Sequence, residues 1–202
     1  MLLASGAVPR DYLVLCSQSI NKAKDRPKAK LVGKQDITRA SGEISQAKIS
    51  EIEEDVASGT DKTANLIILA LDLIREFCLN EHKYSFFQIN FRDKDKHPEY
   101  YFLIQNLMDA RLIHLINASI SDGHKAGERS EVYMIDLSQF SGERFKKHLK
   151  ILDLLSGNLV LSETGTTKQP VIGNTPLKVI SILRSAPQFE LKKFAHLMKK
   201  SK

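Results

Sequence analysis

The sequence is poor in several features that define broad protein classes. It holds two cysteines and no tryptophan among 202 residues, and no apolar run approaches the roughly 18 residues that a membrane-spanning helix needs. The apolar start, residues 1–4, is far shorter than the core of a secretory signal peptide. These absences predict a cytoplasmic protein that has no membrane partner.

Metal-binding patterns are missing as well. Cys16 and Cys78 lie far apart in separate apolar stretches, and no two of the six histidines stand four residues apart. A zinc site needs three or four such ligands close together, so no metal site is predicted. Both thiols are expected to be buried and reduced rather than joined in a disulfide.

The motifs of common catalytic sites are also absent. There is no G-x-x-x-x-G-K-[ST] phosphate loop, no strand that ends in paired acids for magnesium, and no G-x-S-x-G nucleophile elbow. Consecutive carboxylates at residues 53–55 diverge around a helix and indicate a solvated face. No catalytic residue and no cofactor are therefore predicted in this chain.

The sequence does carry an excess of positive charge, with 30 Lys and Arg against 24 Asp and Glu and a net charge of +6. The cations form three clusters: Lys22, Lys24, Arg26, Lys28, Lys30 and Lys34; Arg144, Lys146, Lys147 and Lys150; and Lys192, Lys193, Lys199, Lys200 and Lys202. Such clusters suit a polyanionic partner. Lysine-rich linkers and tails that are merely solvated have the same composition, so both interpretations stay open.

Apolar spacing predicts two helices near the start of the chain. The positions that repeat three and four residues apart over residues 9–23 are Tyr12, Leu13, Cys16 and Ile20. A linker over residues 24–34 leads to a second helix over residues 36–56. Gly42 and the acidic end at residues 51–55, which opposes the helix dipole, are expected to make this helix fray or break. Two helices of this size are too small for a core of their own, so they are expected to pack on another part of the protein.

The middle of the chain begins with a strongly apolar segment. Residues 66–77 are apolar on every side, which is typical of a central helix, and Thr60 or Asp61 is expected to cap its start. Residues 84–91 are aromatic and β-branched, and they fit either a short strand or a tight aromatic helix. A charged turn is predicted over residues 92–96.

A helix and a β-hairpin are predicted next. Pro98 suits the first position of a helix, whose buried stripe comprises Tyr101, Ile104, Leu107 and Met108. Residues 112–116 and 132–137 are predicted strands on either side of a polar loop that contains Gly123 and Gly127. Both strands are apolar on two faces, so the hairpin is expected to be partly covered.

The last part of the chain is the least regular in pattern. A short amphipathic helix is predicted from Phe145, Leu149, Leu152 and Leu155. A loop over residues 162–173 and two further helices over residues 176–183 and 189–198 are expected after it.

The start of the first helix carries a distinctive sequence, Ala4-Ser5-Gly6-Ala7-Val8-Pro9-Arg10. Gly6 frees the backbone, Pro9 fits the first helical position, and Arg10 adds a permanent charge where the helix dipole is positive. Such a corner suits a phosphate or carboxylate. An ordinary Gly-Val-Pro turn before a helix with an exposed arginine has the same sequence.

This motif resembles the second sensor of AAA+ ATPases, in which the lid arginine reaches the terminal phosphate of ATP. The resemblance implies a nucleotide-sensing role for Arg10. It also implies that the chain is the back end of a larger ATPase, whose missing nucleotide-binding core would hold ATP and magnesium.

The order helix, strand-like segment, helix, strand, loop, strand over residues 61–140 resembles a winged helix, as does the helix-to-strand junction at residues 103–114. A lid followed by a winged helix is similar to the C-terminal half of origin-recognition-type AAA+ ATPases. The fold implied is mainly α with a small β-hairpin. Lid-like helices and a linker would occupy residues 1–57, a winged helix-turn-helix domain residues 58–140, and a helical extension residues 141–202.

The winged-helix resemblance implies DNA as a partner. Gln105 and Asn106 are expected to reach base edges and Tyr100 a phosphate, while the loop of the hairpin supplies cations for the backbone. The residues expected to contact DNA are Arg92, Lys94, Lys96, Tyr100, Gln105, Asn106, His124, Lys125 and Arg129.

One feature opposes this interpretation, because the helix carries Glu99 and Asp109 and no exposed lysine or arginine before Arg111. Two alternatives therefore stay open. The chain is either a free-standing winged-helix transcription regulator that dimerises through its terminal helices, or a winged-helix module that binds other proteins.

Overall fold

A computed structural model describes residues 9–57, 62–122, 126–136, 149–153, 158–161, 171–172 and 177–200. Its helices are α1 (Pro9–Lys24), α2 (Lys34–Ala57), α3 (Lys62–Arg75), α4 (Phe91–Lys96), α5 (Pro98–Asp109), α6 (Leu177–Arg184) and α7 (Ala195–Lys200). Its strands are β1 (Phe86–Asn90), β2 (Ile113–Ser121), β3 (Arg129–Ile135), β4 (Lys150–Asp153), β5 (Asn158–Leu161) and β6 (Val171–Ile172). None of the described helices has both the length and the apolar character that crossing a bilayer requires.

The first two helices and the linker between them follow the sequence prediction. Asp36 in the first turn of α2 binds both ends of the linker. Its carboxylate accepts hydrogen bonds from the Gly33 backbone N–H at 2.7 Å and from the Arg26 guanidinium at 2.6 Å. The backbone hydrogen bond from Gly33 holds the pKa of Asp36 below its ordinary value, with help from Arg26 and against the effect of burial. The expected break at Gly42 is wrong, because α2 continues through that residue to Ala57.

The face that α1 buries is not the one its apolar spacing indicates. Its buried residues are Asp11, Leu15, Ser19 and Ala23. Leu13 and Ile20, in contrast, are 68% and 45% exposed, and Cys16 is half-buried rather than buried. Leu15 packs in a small cluster with Ala40 and Ile44 of α2, and the small residues Ser19 and Ala23 continue this face. The apolar spacing therefore predicts the helix correctly but not its orientation.

The middle of the chain forms helices around a three-stranded antiparallel sheet. After α3 comes a π-helical segment, Glu76–His82, and then β1, α4, α5 and the β2–β3 hairpin. β3 is central and pairs with both β1 and β2. Residues 84–91, left open between strand and helix, contain a strand, in which Phe87 lies opposite Tyr133.

The segment after β1 is a short helix, α4, and not the predicted turn. Asn90 caps it, since its side-chain Oδ1 accepts from the Arg92 backbone N–H at 2.8 Å. A cap of this kind satisfies a backbone donor that helices leave free at their start. The charged residues 92–96 are consequently held in helical positions on one edge of the sheet.

The turn from α5 into β2 depends on Arg111. Its φ is 56°, a left-handed conformation that is uncommon for a residue with a side chain. The Arg111 N–H donates to Met108 O and the Leu112 N–H to Leu107 O, both at 2.9 Å. This is the Schellman pattern that ends many helices. It leads the chain directly into the first strand of the hairpin.

The main hydrophobic core lies between α3, α5 and one face of the sheet. Residues near the C-terminus complete it: Phe189 packs edge-on against Phe77, with ring centroids 5.1 Å apart, and Phe194 packs beside Phe189. Ile52 of α2 reaches the same core. The helical pair α1–α2 and the final segment are thus both attached to the central part.

The helix predicted from Leu149 and Leu152 is wrong, because Lys150–Asp153 is strand β4 in a second antiparallel sheet, ordered β4-β5-β6. Ile151 is buried in the main core and Leu152 in a second cluster. Adjacent strand residues point to opposite faces, so this segment fills two cores at once.

Other predictions for the C-terminal part have mixed outcomes. β6 lies inside the predicted loop over residues 162–173. α6 confirms the helix predicted over residues 176–183. The helix predicted over residues 189–198 begins as a 3-10 turn, Leu191–Phe194, and continues as α7. The predicted cap at Thr60 or Asp61 and the side chains of Phe145 and Leu155 lie outside the described residues.

Candidate nucleic-acid interface and the junction behind it

The outward face of α5 carries the residues that the sequence predicts to contact a nucleic acid. After Pro98, which is also exposed, the exposed residues of this helix are Glu99, Phe102, Gln105 and Asp109. Gln105 is thus free to reach a partner. Asn106 is half-buried, and its amide donates to Phe102 O within the same helix at 2.9 Å. Tyr100 is half-buried and stacks on His97, with ring centroids 5.4 Å apart. The face holds two acids and no base.

The predicted cations lie beside α5 and differ in how far they are available. Arg92 and Lys96 of α4 are exposed, and so is Arg129 at the start of β3. Arg92 is 3.1 Å from Glu128 across the surface. His124 and Lys125 lie outside the described residues. The structure therefore brings Arg92, Lys96 and Arg129 outward on elements next to α5.

Lys94 points inward instead. Its ammonium donates to Glu131 Oε1 at 2.8 Å and lies 4.2 Å above the ring of Tyr101. Glu131 is buried, and its Oε2 also accepts from the hydroxyls of Tyr101 and Tyr133, at 3.0 and 2.8 Å. This network joins α4 and α5 to β3, so Lys94 holds these elements together instead of facing a partner.

The electrostatics of this network agree with that role. Burial, followed by hydrogen bonding to Tyr101 and Glu131, raises the pKa of Tyr133 far above its ordinary range. Burial lowers the pKa of Lys94, but the interactions with Glu131 and Tyr101 together outweigh burial and leave it raised. At neutral pH Lys94 is therefore charged and the phenol of Tyr133 is neutral.

A cleft of about 370 Å³ lies between α4 and the segment before α7. It is lined by Asn90, Arg92, Asp93, Lys96, His97, Glu128, Gln188, Glu190 and Lys192. Asp93 fixes the C-terminal wall, because its carboxylate accepts from the Leu191 backbone N–H at 2.6 Å. Lys192 thereby lines the same cleft as Arg92 and Lys96. The sequence identified Lys192 only as a member of a basic cluster, and nothing in it predicted that this residue lies near α4.

Arg10, the predicted nucleotide-sensing residue, is exposed in the first turn of α1. Within the part of the chain that the structure describes, no hydrogen bond or ion pair involves its side chain. The guanidinium is thus open to a ligand from outside.

The next residue, Asp11, is buried and belongs to a cluster that we call the Lys48 junction, composed of Asp11, Lys48, His114 and Asp136. The Lys48 ammonium donates to Asp11 Oδ2 at 3.1 Å and forms a short hydrogen bond to Asp136 Oδ2. It also donates to the backbone oxygen of Arg111 at 3.2 Å. The junction therefore joins α1, α2 and both ends of the hairpin base.

The charges in the Lys48 junction are strongly coupled. Asp136 is 1% exposed, and His114 Nε2 lies 3.5 Å from its Oδ2. Burial would raise the pKa of Asp136, but His114 and the Lys48 ammonium outweigh burial and hold it below its ordinary value. Asp136 is therefore ionised at neutral pH.

Two carboxylates and an imidazole with ligand atoms within 4.8 Å of one another are able to hold a metal ion. Here the Lys48 ammonium contacts both carboxylates and supplies the positive charge. A cation would have to displace it. The arrangement thus fits an ion-pair cluster better than a metal centre.

Sequence reasoning missed the Lys48 junction. Lys48 is 37 residues from Asp11 and 88 from Asp136, so no local spacing connects them. The one available signal was Asp136 itself, an acid inside an apolar strand. A charge at such a position requires a buried partner.

Comparisons with known proteins returned nothing. No family model, curated protein or solved structure matches this chain.

Proposed function

We propose that this chain is the lid and winged-helix part of an AAA+ ATPase of the origin-recognition type, and that its winged helix binds DNA. The observation that carries the proposal is the order α3, β1, α4, α5, β2, β3, in which a helix opened by Pro98 leads through Arg111 into an antiparallel hairpin. This order is typical of a winged helix.

The lid assignment has separate support. Arg10 is exposed in the first turn of a 16-residue helix, where the helix dipole favours an anion. α1 and α2 pack on each other, and Ile52 of α2 packs in the core of the following domain. In the proposed parent protein a preceding core domain would bind ATP and magnesium, and Arg10 would contact the nucleotide.

DNA binding is supported by the cations around α5. Arg92, Lys96 and Arg129 are exposed on neighbouring elements and would contact phosphates, which supply most of the affinity of such proteins. Gln105 is the exposed residue of α5 suited to a base edge. Lys94 is omitted from this contact set because its ammonium is turned inward onto buried Glu131, whereas the Arg92 side chain is 68% exposed beside Glu128.

The test is the salt dependence of binding to a labelled duplex, followed by fluorescence anisotropy. If roughly four to six phosphates are neutralised, the logarithm of the association constant falls with log[salt] at a slope of about −4 to −5. Replacement of Arg92, Lys96 and Arg129 by Ala should make this slope less steep by up to about 3.

A matched control removes the same charge elsewhere. Lys24, Lys30 and Lys34 are exposed in and beside the linker, and their replacement by Ala should leave the slope close to that of the wild type. A wild-type slope near zero would rule out DNA binding. Equal effects of the two triple variants would show that the contact set is wrong.

A second function, binding of another protein through α5, is favoured by one observation. Phe102 is 51% exposed near the centre of the outward face, between Glu99 and Asp109. Aromatic side chains are enriched at protein interfaces, and the two acids disfavour DNA. Phe102→Ala should leave the salt slope unchanged if DNA is bound through the flanking cations alone.

A further inference from the structure

We propose that the Lys48 junction transmits a displacement of the first turn of α1 to the base of the β2–β3 hairpin. All residues of this link belong to this chain, so the link does not depend on a partner. Its use as a route from Arg10 to the loop of the hairpin rests on the proposed function.

Asp11 connects the first turn of α1 to the Lys48 junction. It follows Arg10 in the same helical turn, and the two residues have opposite environments: Arg10 is exposed and Asp11 is 8% exposed. A helical turn is a rigid unit because its backbone groups are hydrogen-bonded along the axis. Any force that moves Arg10 therefore moves Asp11 as well.

Lys48 is attached to the base of the hairpin at two points. Asp136 follows the last residue of β3, and Arg111 lies two residues before the start of β2. Lys48 donates to both residues. The Asp136 backbone N–H also donates to Leu112 O at 2.9 Å, which closes the base. Lys48 thus holds the hairpin at the end opposite its loop.

The ion pair between Lys48 and Asp136 is better shielded from water than a surface ion pair. The side chains of Lys48 and Asp136 are 13% and 2% exposed, so water screens their attraction weakly. A second ion pair between α1 and α2, Lys22–Glu43, is 2.6 Å long but exposed at 29% and 54%. Exposed pairs of that kind contribute little. The Lys48 junction is therefore the link expected to carry displacement.

The consequence for the hairpin follows from its shape. β2 has nine residues and extends roughly 25–30 Å from the base. A small rotation at the base therefore moves the distant loop by a larger distance. In the proposed function Arg129, at the end of the hairpin away from the base, contacts DNA, so occupancy at Arg10 would alter DNA contact without any direct contact between the two sites.

The experiment is native-state hydrogen exchange of the full chain, without DNA or nucleotide, on wild type, Asp11→Asn and Lys22→Gln. Asp11→Asn removes one charge of the junction and leaves the hairpin residues intact. We expect the Asp136 amide, which donates to Leu112 O, to exchange roughly 5- to 30-fold faster. Lys22→Gln should leave this amide at its wild-type rate.

The Phe189 amide reports on global stability, because it donates to Gln88 O away from the junction. Its rate should change much less than that of Asp136. An equal acceleration of both amides would mean a general loss of stability, and it would overturn the proposal. So would an Asp11→Asn effect confined to α1 and α2.

Transmission must also run in reverse, since coupling between two sites is reciprocal. Asp136→Asn should accelerate exchange of the hydrogen-bonded amides in the second turn of α1 more than the Phe189 amide. An unchanged α1 would refute the link. Failure of DNA binding alters neither exchange result, and failure of transmission leaves the salt slope intact, so the two proposals are tested separately.

Discussion

Replacement of Lys48 by Met tests the energetics of the Lys48 junction directly. The methionine is close in length to lysine but has no charge, so Asp11 and Asp136 remain without their shared cation. Loss of one partner from a buried ion pair costs about 3–5 kcal/mol. We expect the lower end of this range, because Asp11 retains some access to water and His114 remains beside Asp136. Urea unfolding followed by circular dichroism measures the change.

The pH dependence of the same variant provides a second readout. In the wild type the pKa of Asp136 lies below its ordinary value of 3.8. Its contribution to the free energy of unfolding is thus present above pH 3.8 and is lost as the pH falls through the lowered pKa. In Lys48→Met the effect of burial has less opposition, which raises the pKa. The difference in stability between variant and wild type should therefore shrink as the pH falls from 7 to 4.

Two further variants make the test specific. Lys22→Met removes the exposed Lys22–Glu43 pair and should cost less than about 1 kcal/mol. The double variant Lys48→Met with Asp136→Asn should be more stable than Lys48→Met alone, because the uncompensated charge is gone. A loss below about 1 kcal/mol for Lys48→Met, or a difference independent of pH, would refute this account of the junction.

Three other predictions concern separate parts of the molecule. Tyr133→Phe removes a hydroxyl that donates to buried Glu131 at 2.8 Å and should lower the free energy of unfolding in urea by about 1.5–3 kcal/mol. Burial, with Glu81 nearby, raises the pKa of the Cys78 thiol well above its ordinary value. A maleimide should therefore modify Cys16 first and Cys78 only upon unfolding, and mass spectrometry detects each product. Arg111→Gly relieves a left-handed residue with φ of 56° and should raise thermal stability by about 1 kcal/mol.

Each of these predictions has its own control or contrary result. The Tyr84 hydroxyl accepts from the partly exposed Lys150, so Tyr84→Phe should cost less than Tyr133→Phe. Equal rates of modification at Cys16 and Cys78 would contradict the burial argument. Arg111→Val should be destabilising, since a β-branched side chain tolerates positive φ poorly. A gain in stability with valine would be contrary to the assigned turn.

Short-range signals predicted most of the secondary structure. Pro98 marks the start of α5, and Tyr101, Ile104 and Leu107 of the predicted apolar stripe are buried, while Met108 is half-buried. The hairpin after it is present, with strands longer than predicted. These signals succeed because helix and strand periods depend on neighbouring residues, and proline acts on its own turn.

The errors occur where distant contacts compete with local pattern. Residues 84–91 were compatible with strand or helix until pairing with β3 determined their form. Lys150–Asp153 has helical apolar spacing, yet it lies between two clusters that require side chains on opposite faces. The tertiary context overrides a weak local preference in such segments.

By itself, the sequence determined most of the helices, the position of the hairpin and the exposed charge at Arg10, but not helix α4 or strands β4, β5 and β6. Only the tertiary structure decided that α1 buries Asp11 in place of Leu13, and that Lys94 turns inward to Glu131. A buried charge is stable only where an opposite charge or hydrogen-bond donor meets it. For Asp11 and Asp136 that partner is Lys48, 37 and 88 residues away along the chain, and periodicity carries no information at such distances.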